Sequence, residues 1–154
     1  MPPRIIEGID ELRSLVGQEA GVSDWLEVSQ SLIDRFAELT CDRQWIHVDL
    51  ARAKAESPYG TTIAHGFLTL SLVSQLHAQA VQIRGDHTRA INYGFNRVRF
   101  PTAVPAGSRI RLRSTLESID EVEGGVQLTW AVSIEIEHEP KPPLIAQWLV
   151  RLYP

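Results

Sequence analysis

The sequence predicts an α+β fold, and three observations support this class. Leu32, Ile33 and Phe36 have helical spacing in the first half, a strongly apolar helix begins near Gly66, and residues 90–152 alternate between apolar and polar side chains. Helices followed by consecutive antiparallel strands are typical of folds that segregate helix and sheet along the chain. We therefore expect one antiparallel sheet wrapped around a long central helix.

The first half of the chain is predicted to be mainly helical. A possible short strand at residues 22–28 precedes a helix that starts behind the potential caps Ser29 and Ser31 and ends near Thr40. Serine accepts hydrogen bonds from the free amides of a first helical turn. Asp49 has the same capping chemistry and is expected to begin a second helix at residues 51–56. The residues between Thr40 and Asp49 should then form a loop.

The central helix is predicted to span residues 66–82. Its apolar side chains lie on more than one side, so other elements should enclose it; they are Phe67, Leu68, Leu70, Leu72, Val73 and Leu76. At the rise of an α-helix this segment is about 25 Å long. Most of the core should be shared between this helix and the sheet.

Four strands are predicted after the helix. Apolar and polar side chains alternate strictly in residues 126–137 and 144–152, and also in residues 110–116 between two glycine-containing turns. This alternation is expected for strands with one solvent-exposed face. A fourth strand is expected at residues 90–100, where a change in the apolar phase predicts a bulge near Asn96.

Bulk properties limit the functional classes. A chain of 154 residues fits one domain, residues 1–154, and a net charge of −4 gives no general attraction to nucleic acid. Cys41 is the only cysteine, so no internal disulfide can form and a reducing compartment, by default the cytoplasm, is expected. The first residues lack the apolar core of a signal peptide, and no apolar run could span a bilayer.

The loop after the first helix carries the first candidate site. Asp42 and His47 stand five residues apart, and a carboxylate near an imidazole can orient it and tune its basicity for proton transfer to or from water. Loops on a rigid scaffold are where catalytic groups concentrate. From spacing alone, however, helix termination by Asp42 and packing by His47 are the commoner explanation.

The start of the central helix carries the second candidate. Gly66 leaves backbone N–H groups unblocked where the helix dipole is positive, so an oxyanion or a thioester carbonyl could bind there. A purely structural reading, in which Gly66 only permits close packing, stays open. A metal site formed by Asp42, His47, Asp49 and His65 also stays open, although no recognised ligand spacing is present.

Arginines form the third feature. Five of them lie within residues 97–113, namely Arg97, Arg99, Arg109, Arg111 and Arg113. They could bind a phosphate-bearing ligand, but an exposed polar face of a sheet is the more common explanation.

Two segments resemble the MaoC-like dehydratase family of hot-dog folds, whose hydratase motif reads Asp-x-Asn-Pro-aliphatic-His. They are residues 39–47, Leu-Thr-Cys-Asp-Arg-Gln-Trp-Ile-His, and residues 63–68, Ile-Ala-His-Gly-Phe-Leu. Gln44 and Trp45 replace Asn and Pro, a variant similar to the nodulation-protein-N-like branch and to mycobacterial R-specific enoyl-CoA hydratases. Residues 91–101 and 104–108 resemble the same branch, so the resemblance covers nearly the whole chain.

The resemblance implies a single hot-dog domain, a homodimer, and reversible hydration of trans-2-enoyl-CoA to (R)-3-hydroxyacyl-CoA without a metal or organic cofactor. Asp42 and His47 match the family's catalytic pair, Gly66 would bind the thioester oxygen, and Gln44 would help to hold the pair. Arg97 and Arg99 are the candidates for CoA binding. Cys41 stands where the family pattern has glycine.

Two alternatives to the hydratase remain at this stage. Hot-dog proteins also include acyl-CoA thioesterases, and a chain with a substituted loop could bind acyl thioesters without turnover. An acyl group carried by a carrier protein instead of CoA would fit the same site. Acyl chain length is not encoded in a recognisable motif.

Overall fold

Short elements in the first half and four long strands in the second build the protein. The computed structural model describes residues 1–154. In chain order the elements are β1 (Arg4–Glu7), α1 (Gly8–Ser14), β2 (Glu19–Val22), β3 (Leu26–Val28), α2 (Gln30–Thr40), α3 (Trp45–Val48), α4 (Leu50–Glu56), α5 (Gly66–Ser71), α6 (Val73–Ala80), β4 (Val81–Arg84), β5 (Arg89–Arg99), β6 (Ser108–Val122), β7 (Gly125–Ile136) and β8 (Leu144–Tyr153).

The main sheet has the strand order β2-β6-β7-β8-β5, and β3 also pairs with β6. Every pairing in it is antiparallel. The four strands predicted after the central helix are thus confirmed, as is the α+β class. The predicted bulge is also present, because the β5–β8 register shifts between Phe95 and Arg97 and leaves Asn96 as the extra residue. A second shift lies between Asn92 and Gly94.

The central helix packs its apolar side against one face of the sheet. Leu68, Leu72 and Leu76 belong to a cluster of 27 buried residues that also holds Trp130 and Leu112 from the sheet. Leu76 is completely buried, so its truncation to alanine should cost about 2–5 kcal/mol of folding free energy. Period-2 alternation places the polar residues of these strands on the opposite, solvent-facing side.

The predicted 66–82 helix needs two corrections. It is divided at Leu72 into α5 and α6, although the Leu76 N–H still donates to the Leu72 carbonyl at 3.0 Å. It also ends at Ala80, because Val81 is extended and begins β4, which pairs in parallel with β1. The pairing supplies Val81 with hydrogen-bond partners from a distant segment, and helical propensity does not reveal that alternative.

The N-terminal prediction was incomplete. The expected strand at residues 22–28 is two strands, β2 and β3, that both pair with β6. Ser23 lies between them, and its N–H and Oγ make hydrogen bonds with the carbonyl and the N–H of Leu112, each at 2.9 Å. These bonds keep the connection against β6 where the ladder is interrupted.

Both helices around the candidate loop are capped by predicted residues, α2 by Ser29 and not by the alternative Ser31, which lies inside the helix, and α4 by Asp49. The Ser29 side chain accepts a hydrogen bond from the Leu32 N–H at 3.1 Å, and the Asp49 carboxylate accepts one from the Arg52 N–H at 3.0 Å. Each cap satisfies a first-turn amide that has no partner within its helix. The loop between α2 and α4 is therefore fixed at both ends.

None of the helices is both long enough and apolar enough to cross a membrane.

Candidate functional site

The loop that follows α2 turns sharply at Cys41. Cys41 has a φ of 59° and ψ of 19°, which is the left-handed conformation that glycine adopts most easily. This conformation explains why a glycine is expected at the position. The turn places the exposed side chain of Asp42 beside α3, while Arg43 forms an ion pair with Glu38 at 3.0 Å.

His47 lies on the single-turn helix α3 and is buried. Its Nδ1–H donates a hydrogen bond to the carbonyl oxygen of Ile63 at 2.7 Å; a carbonyl can only accept, so Nδ1 carries the proton and Nε2 keeps its lone pair. Burial lowers the pKa of His47, and the bond to Ile63 opposes this shift. At neutral pH His47 is therefore an uncharged base.

The segment that accepts this bond is itself held on both sides. The N–H of Ile63 donates to the Ile46 carbonyl at 3.0 Å, and the N–H of Ala64 donates to the Val104 carbonyl at 2.8 Å. From α2, the Gln30 side-chain amide donates to the His47 carbonyl at 2.8 Å. The ring bond to Ile63 and the Gln30 bond to the His47 carbonyl thus fix His47 from two distant parts of the chain.

His65 lies directly against His47. Their rings are stacked with centroids 3.8 Å apart and planes at 25°. His65 is 2% exposed, and its Nε2–H donates to the main-chain carbonyl of Asp42 at 2.9 Å. One polar side-chain atom from each of Asp42, His47 and His65 lies within 4.8 Å of those of the other two.

Gly66 follows His65 and is the first residue of α5. The first amides of a helix have no carbonyl four residues earlier, so the Gly66 N–H is free to bind a ligand. Gly66 and His47 both line a cavity of about 250 Å³, which Tyr59, Thr69 and Phe100 also border. An added Cβ at Gly66 would lie 3.3 Å from the Phe100 ring, so the glycine keeps this entrance open.

The group offers proton-transfer chemistry more readily than metal binding. Each histidine already uses one nitrogen to bind a main-chain carbonyl, and the carboxylate of Asp49 caps α4 instead of joining the group. Asp42 makes no direct hydrogen bond to His47, and the gap between them is of a size that one water molecule can bridge. A base and a carboxylate that share one water are suited to adding or removing it.

The MaoC-like domain model matches residues 11–136 of the chain. This match covers the candidate loop, the central helix and most of the sheet. The chain belongs to the MaoC-like dehydratase family.

Full-length relatives of this MaoC-like chain carry two kinds of name. The 3-hydroxyacyl-thioester dehydratase Z of Mycobacterium tuberculosis is 44% identical over 149 residues, covering 96% of this chain and 97% of the relative. Nodulation protein N of Rhizobium meliloti is 45% identical over 142 residues, covering 92% and 88%.

Solved structures support the hot-dog fold of this MaoC-like chain. The unliganded R-hydratase of Pseudomonas aeruginosa matches with a TM-score of 0.72 at 21% identity, covering 90% of this chain and 81% of that one. A monoamine oxidase regulatory protein from Archaeoglobus matches with a TM-score of 0.77 at 22% identity, covering 100% and 99%. The predicted family and fold are thereby confirmed.

The remaining predicted site residues of this MaoC-like chain lie apart from the group. Gln44 is exposed and its side chain bonds neither Asp42 nor His47, although its carbonyl accepts the His47 N–H at 3.0 Å. Arg97 and Arg99 are exposed on β5, opposite Gln147 and Ile145 on the solvent-facing side of the sheet. Their roles stay predictions.

The other arginines form an ion-paired surface on the sheet. Arg109 pairs with Glu137 at 3.0 Å, and Arg111 pairs with Glu135 at 2.7 Å. Arg113 pairs with Glu135 and with Glu19. Cross-strand pairs of this kind are usual on the wet face of a sheet, so these three arginines do not form a free phosphate-binding cluster.

Two residues near the site had no role in the sequence-based hydratase prediction. His65 was noted only as a metal ligand, yet it contacts both members of the proposed pair. Gln30, in the first turn of α2, binds the His47 carbonyl and accepts a hydrogen bond from the Thr62 hydroxyl. Neither contact could be inferred from spacing, because the partners are far apart in sequence.

Proposed function

We propose that this hydro-lyase adds water reversibly to trans-2-enoyl-CoA and forms (R)-3-hydroxyacyl-CoA. The observation that carries the proposal is the position of Asp42 and His47, whose polar atoms lie within 4.8 Å of each other beside the start of α5. The names of the relatives support it, since dehydration of a 3-hydroxyacyl thioester is the same reaction in reverse.

The Asp42–His47 pair acts on one water molecule. The water hydrogen-bonds to the Asp42 carboxylate and to Nε2 of His47, whose lone pair is kept available by the Nδ1–H bond to Ile63. The water oxygen forms a bond to C3 of the substrate as one of its protons passes to the pair. The π bond between C2 and C3 breaks, and a proton held by the pair is delivered to C2.

Gly66 supplies the electrostatic part of the mechanism. Addition at C3 places negative charge on the thioester oxygen, and the free N–H of Gly66 at the start of α5 donates to that oxygen. The cavity shared by His47 and Gly66 brings the carbonyl and the attacked carbon to these two groups together. A fixed donor of this kind needs no reorganisation during the reaction.

Arg97 and Arg99 are proposed to bind the CoA phosphates. In contrast to Arg109, Arg111 and Arg113, neither forms an ion pair with a carboxylate within the chain. Arg99 directly precedes Phe100, which borders the cavity, and Arg97 lies two residues earlier on β5. Replacing both with Ala should raise the KM for crotonyl-CoA more than it lowers kcat. An unchanged KM would show that Arg97 and Arg99 do not bind the CoA phosphates.

A homodimer is proposed from the open edge of β5. This strand pairs only with β8, and its exposed side chains include Ile91, Tyr93 and Phe95. Phe100 is also exposed and contacts Phe67 at the start of α5. A second copy along this edge would cover unpaired strand donors and a continuous apolar band that reaches the site.

The direct test is hydration of enoyl thioesters by the purified protein. With crotonyl-CoA the absorbance of the enoyl thioester should fall, the product should have R configuration, and EDTA should not change the rate. A series of longer enoyl chains and an enoyl carrier protein then define the preferred acyl group and its carrier. Inactivity on every chain length with both carriers would overturn the proposal.

The same assay separates two alternatives. Release of free thiol from saturated acyl-CoA, without consumption of enoyl-CoA, would indicate a thioesterase. Saturable binding of acyl-CoA with neither reaction would indicate an acyl-thioester-binding protein.

A further inference from the structure

His65 is the buried residue that links the three parts of the candidate site. It immediately precedes Gly66 in the chain, its ring stacks on His47 at 3.8 Å, and its Nε2–H binds the main-chain carbonyl of Asp42 at 2.9 Å. On its other side the ring contacts Phe36, with centroids 4.9 Å apart.

The hydrogen bond from His65 to Asp42 defines which ring nitrogen carries the hydrogen. The Asp42 carbonyl can only accept, so Nε2 carries the proton and Nδ1 is unprotonated. Nδ1 is buried and has no hydrogen-bond partner. The ring therefore offers one N–H donor, which binds the Asp42 carbonyl, and its second nitrogen makes no hydrogen bond.

Asp42 depends on this contact for its position. The bond from His65 is the one hydrogen bond in the structure that involves Asp42, whose side chain is exposed. The adjacent ion pair between Arg43 and Glu38 lies on the surface, where such pairs contribute little. His47, by contrast, is held by hydrogen bonds with Ile63 and Gln30, and neither bond involves His65.

We infer that His65 is a positioning residue that holds the Asp42 main chain at a fixed distance from the His47 ring. The inference rests on the proposed hydration, in which the two groups must share one water molecule. A displacement of about 1 Å in such a geometry can lower a rate on the order of 100-fold. His65 acts through Asp42 and does not touch the substrate.

Two substitutions separate the hydrogen bond from the packing of the ring. His65→Phe keeps an aromatic ring between Phe36 and His47 but has no donor for the Asp42 carbonyl. His65→Gln loses the ring but can place an amide N–H near the position of Nε2. His138→Asn serves as a control, because His138 is exposed and has a left-handed φ of 66° that Asn tolerates.

The expected result is a fall in kcat of about 10- to 100-fold for His65→Phe, with a KM for crotonyl-CoA within about twofold of wild type. His65→Gln should recover part of the loss. Backbone ¹⁵N order parameters of residues 41–44 should be lower in His65→Phe than in wild type and higher again in His65→Gln. His65→Met, also without a donor, replaces His65→Phe if that variant does not fold.

The order parameters test the inference separately from the proposed function. Inactive wild-type protein would overturn the hydratase, while lower order parameters confined to residues 41–44 of His65→Phe would still support the link between His65 and Asp42. If His65→Phe matches wild type in both kcat and order parameters, the residue only fills space and the inference is wrong.

Discussion

The Nδ1–H of His47 donates to the Ile63 carbonyl at 2.7 Å, and this bond decides which nitrogen of the ring can act as a base. Ile63 is itself held next to α3, because its N–H donates a hydrogen bond to the Ile46 carbonyl. The tautomer of His47 is therefore set by main-chain geometry, and Nε2 is the nitrogen available to a water molecule.

The pH dependence of the reaction should reflect the environment of His47. Burial is the largest influence on its pKa and lowers it below the ordinary value of 6.5. A base works only when unprotonated, so kcat/KM for hydration should fall as the pH drops through a pKa below 6.5 and should be independent of His47 above it. A pH–rate profile with crotonyl-CoA measures this, and an acid limb centred above 6.5 would contradict it.

Gly66→Ala should impair turnover more than folding. The new methyl group would lie 3.3 Å from Phe100, whose ring is 41% exposed and can move, and it would crowd the cavity that receives the thioester. We expect kcat/KM to fall on the order of tenfold with little change in Tm. The variant Gly66→Ala/Phe100→Leu removes the contact with the ring. Full recovery in this double variant would show that the clash, and not crowding of the proposed carbonyl site, caused the loss.

His77 should make the fold less stable in acid. Burial against Trp130 and Trp148 lowers its pKa to about 4, and its Nδ1 lies 3.1 Å from the Ser114 hydroxyl. The unfolded chain binds this proton more readily, so the stabilisation is complete above pH 6.5 and is lost as the pH falls toward 4.

Between pH 6.5 and 4, protonation of His77 in the unfolded chain should lower the free energy of unfolding by as much as about 3 kcal/mol. Urea unfolding at several pH values should show the slope in wild type and a reduced slope in His77→Phe. The exposed-residue variant His138→Asn should keep the wild-type slope. An unchanged slope in His77→Phe would show that a group other than His77 causes the acid sensitivity.

The open edge of β5 should control the oligomeric state. We expect the protein to sediment at twice the chain mass of 17.3 kDa, and Ile91→Asp to shift it toward the monomer, since charge on a strand edge disfavours pairing. Ile145→Asp is a matched control, because Ile145 is equally exposed at 46% but lies on β8, which is paired on both sides. Sedimentation of the wild-type protein as a monomer would contradict the proposed homodimer.

Features with a short-range physical cause could be predicted from the sequence. The alternation in β6, β7 and β8 reports one buried face, and Ser29 and Asp49 cap the helices predicted for them. The loop with Asp42 and His47 was recognisable because its motif is contiguous. Each of these signals is contained within a window of a few residues.

Contacts between distant segments could not be predicted in the same way. The pairing of β1 with β4 joins Arg4 to Val81 and ends the central helix early. The bond from His65 to Asp42 spans the turn, α3 and α4. Such contacts depend on how elements pack in three dimensions, and the periodicity of apolar residues does not reveal them.

The most direct test of the catalytic pair is the rate of crotonyl-CoA hydration by Asp42→Asn, His47→Gln and the variant that combines them. Asp49→Asn is the control, because its carboxylate only caps α4 and Asn caps a helix equally well. Each single change should lower kcat by about 100-fold or more with Tm nearly unchanged. The double variant should be little worse than either single variant, since both residues act on one water molecule. Single variants that keep most of the wild-type kcat would show that Asp42 and His47 are not the catalytic pair.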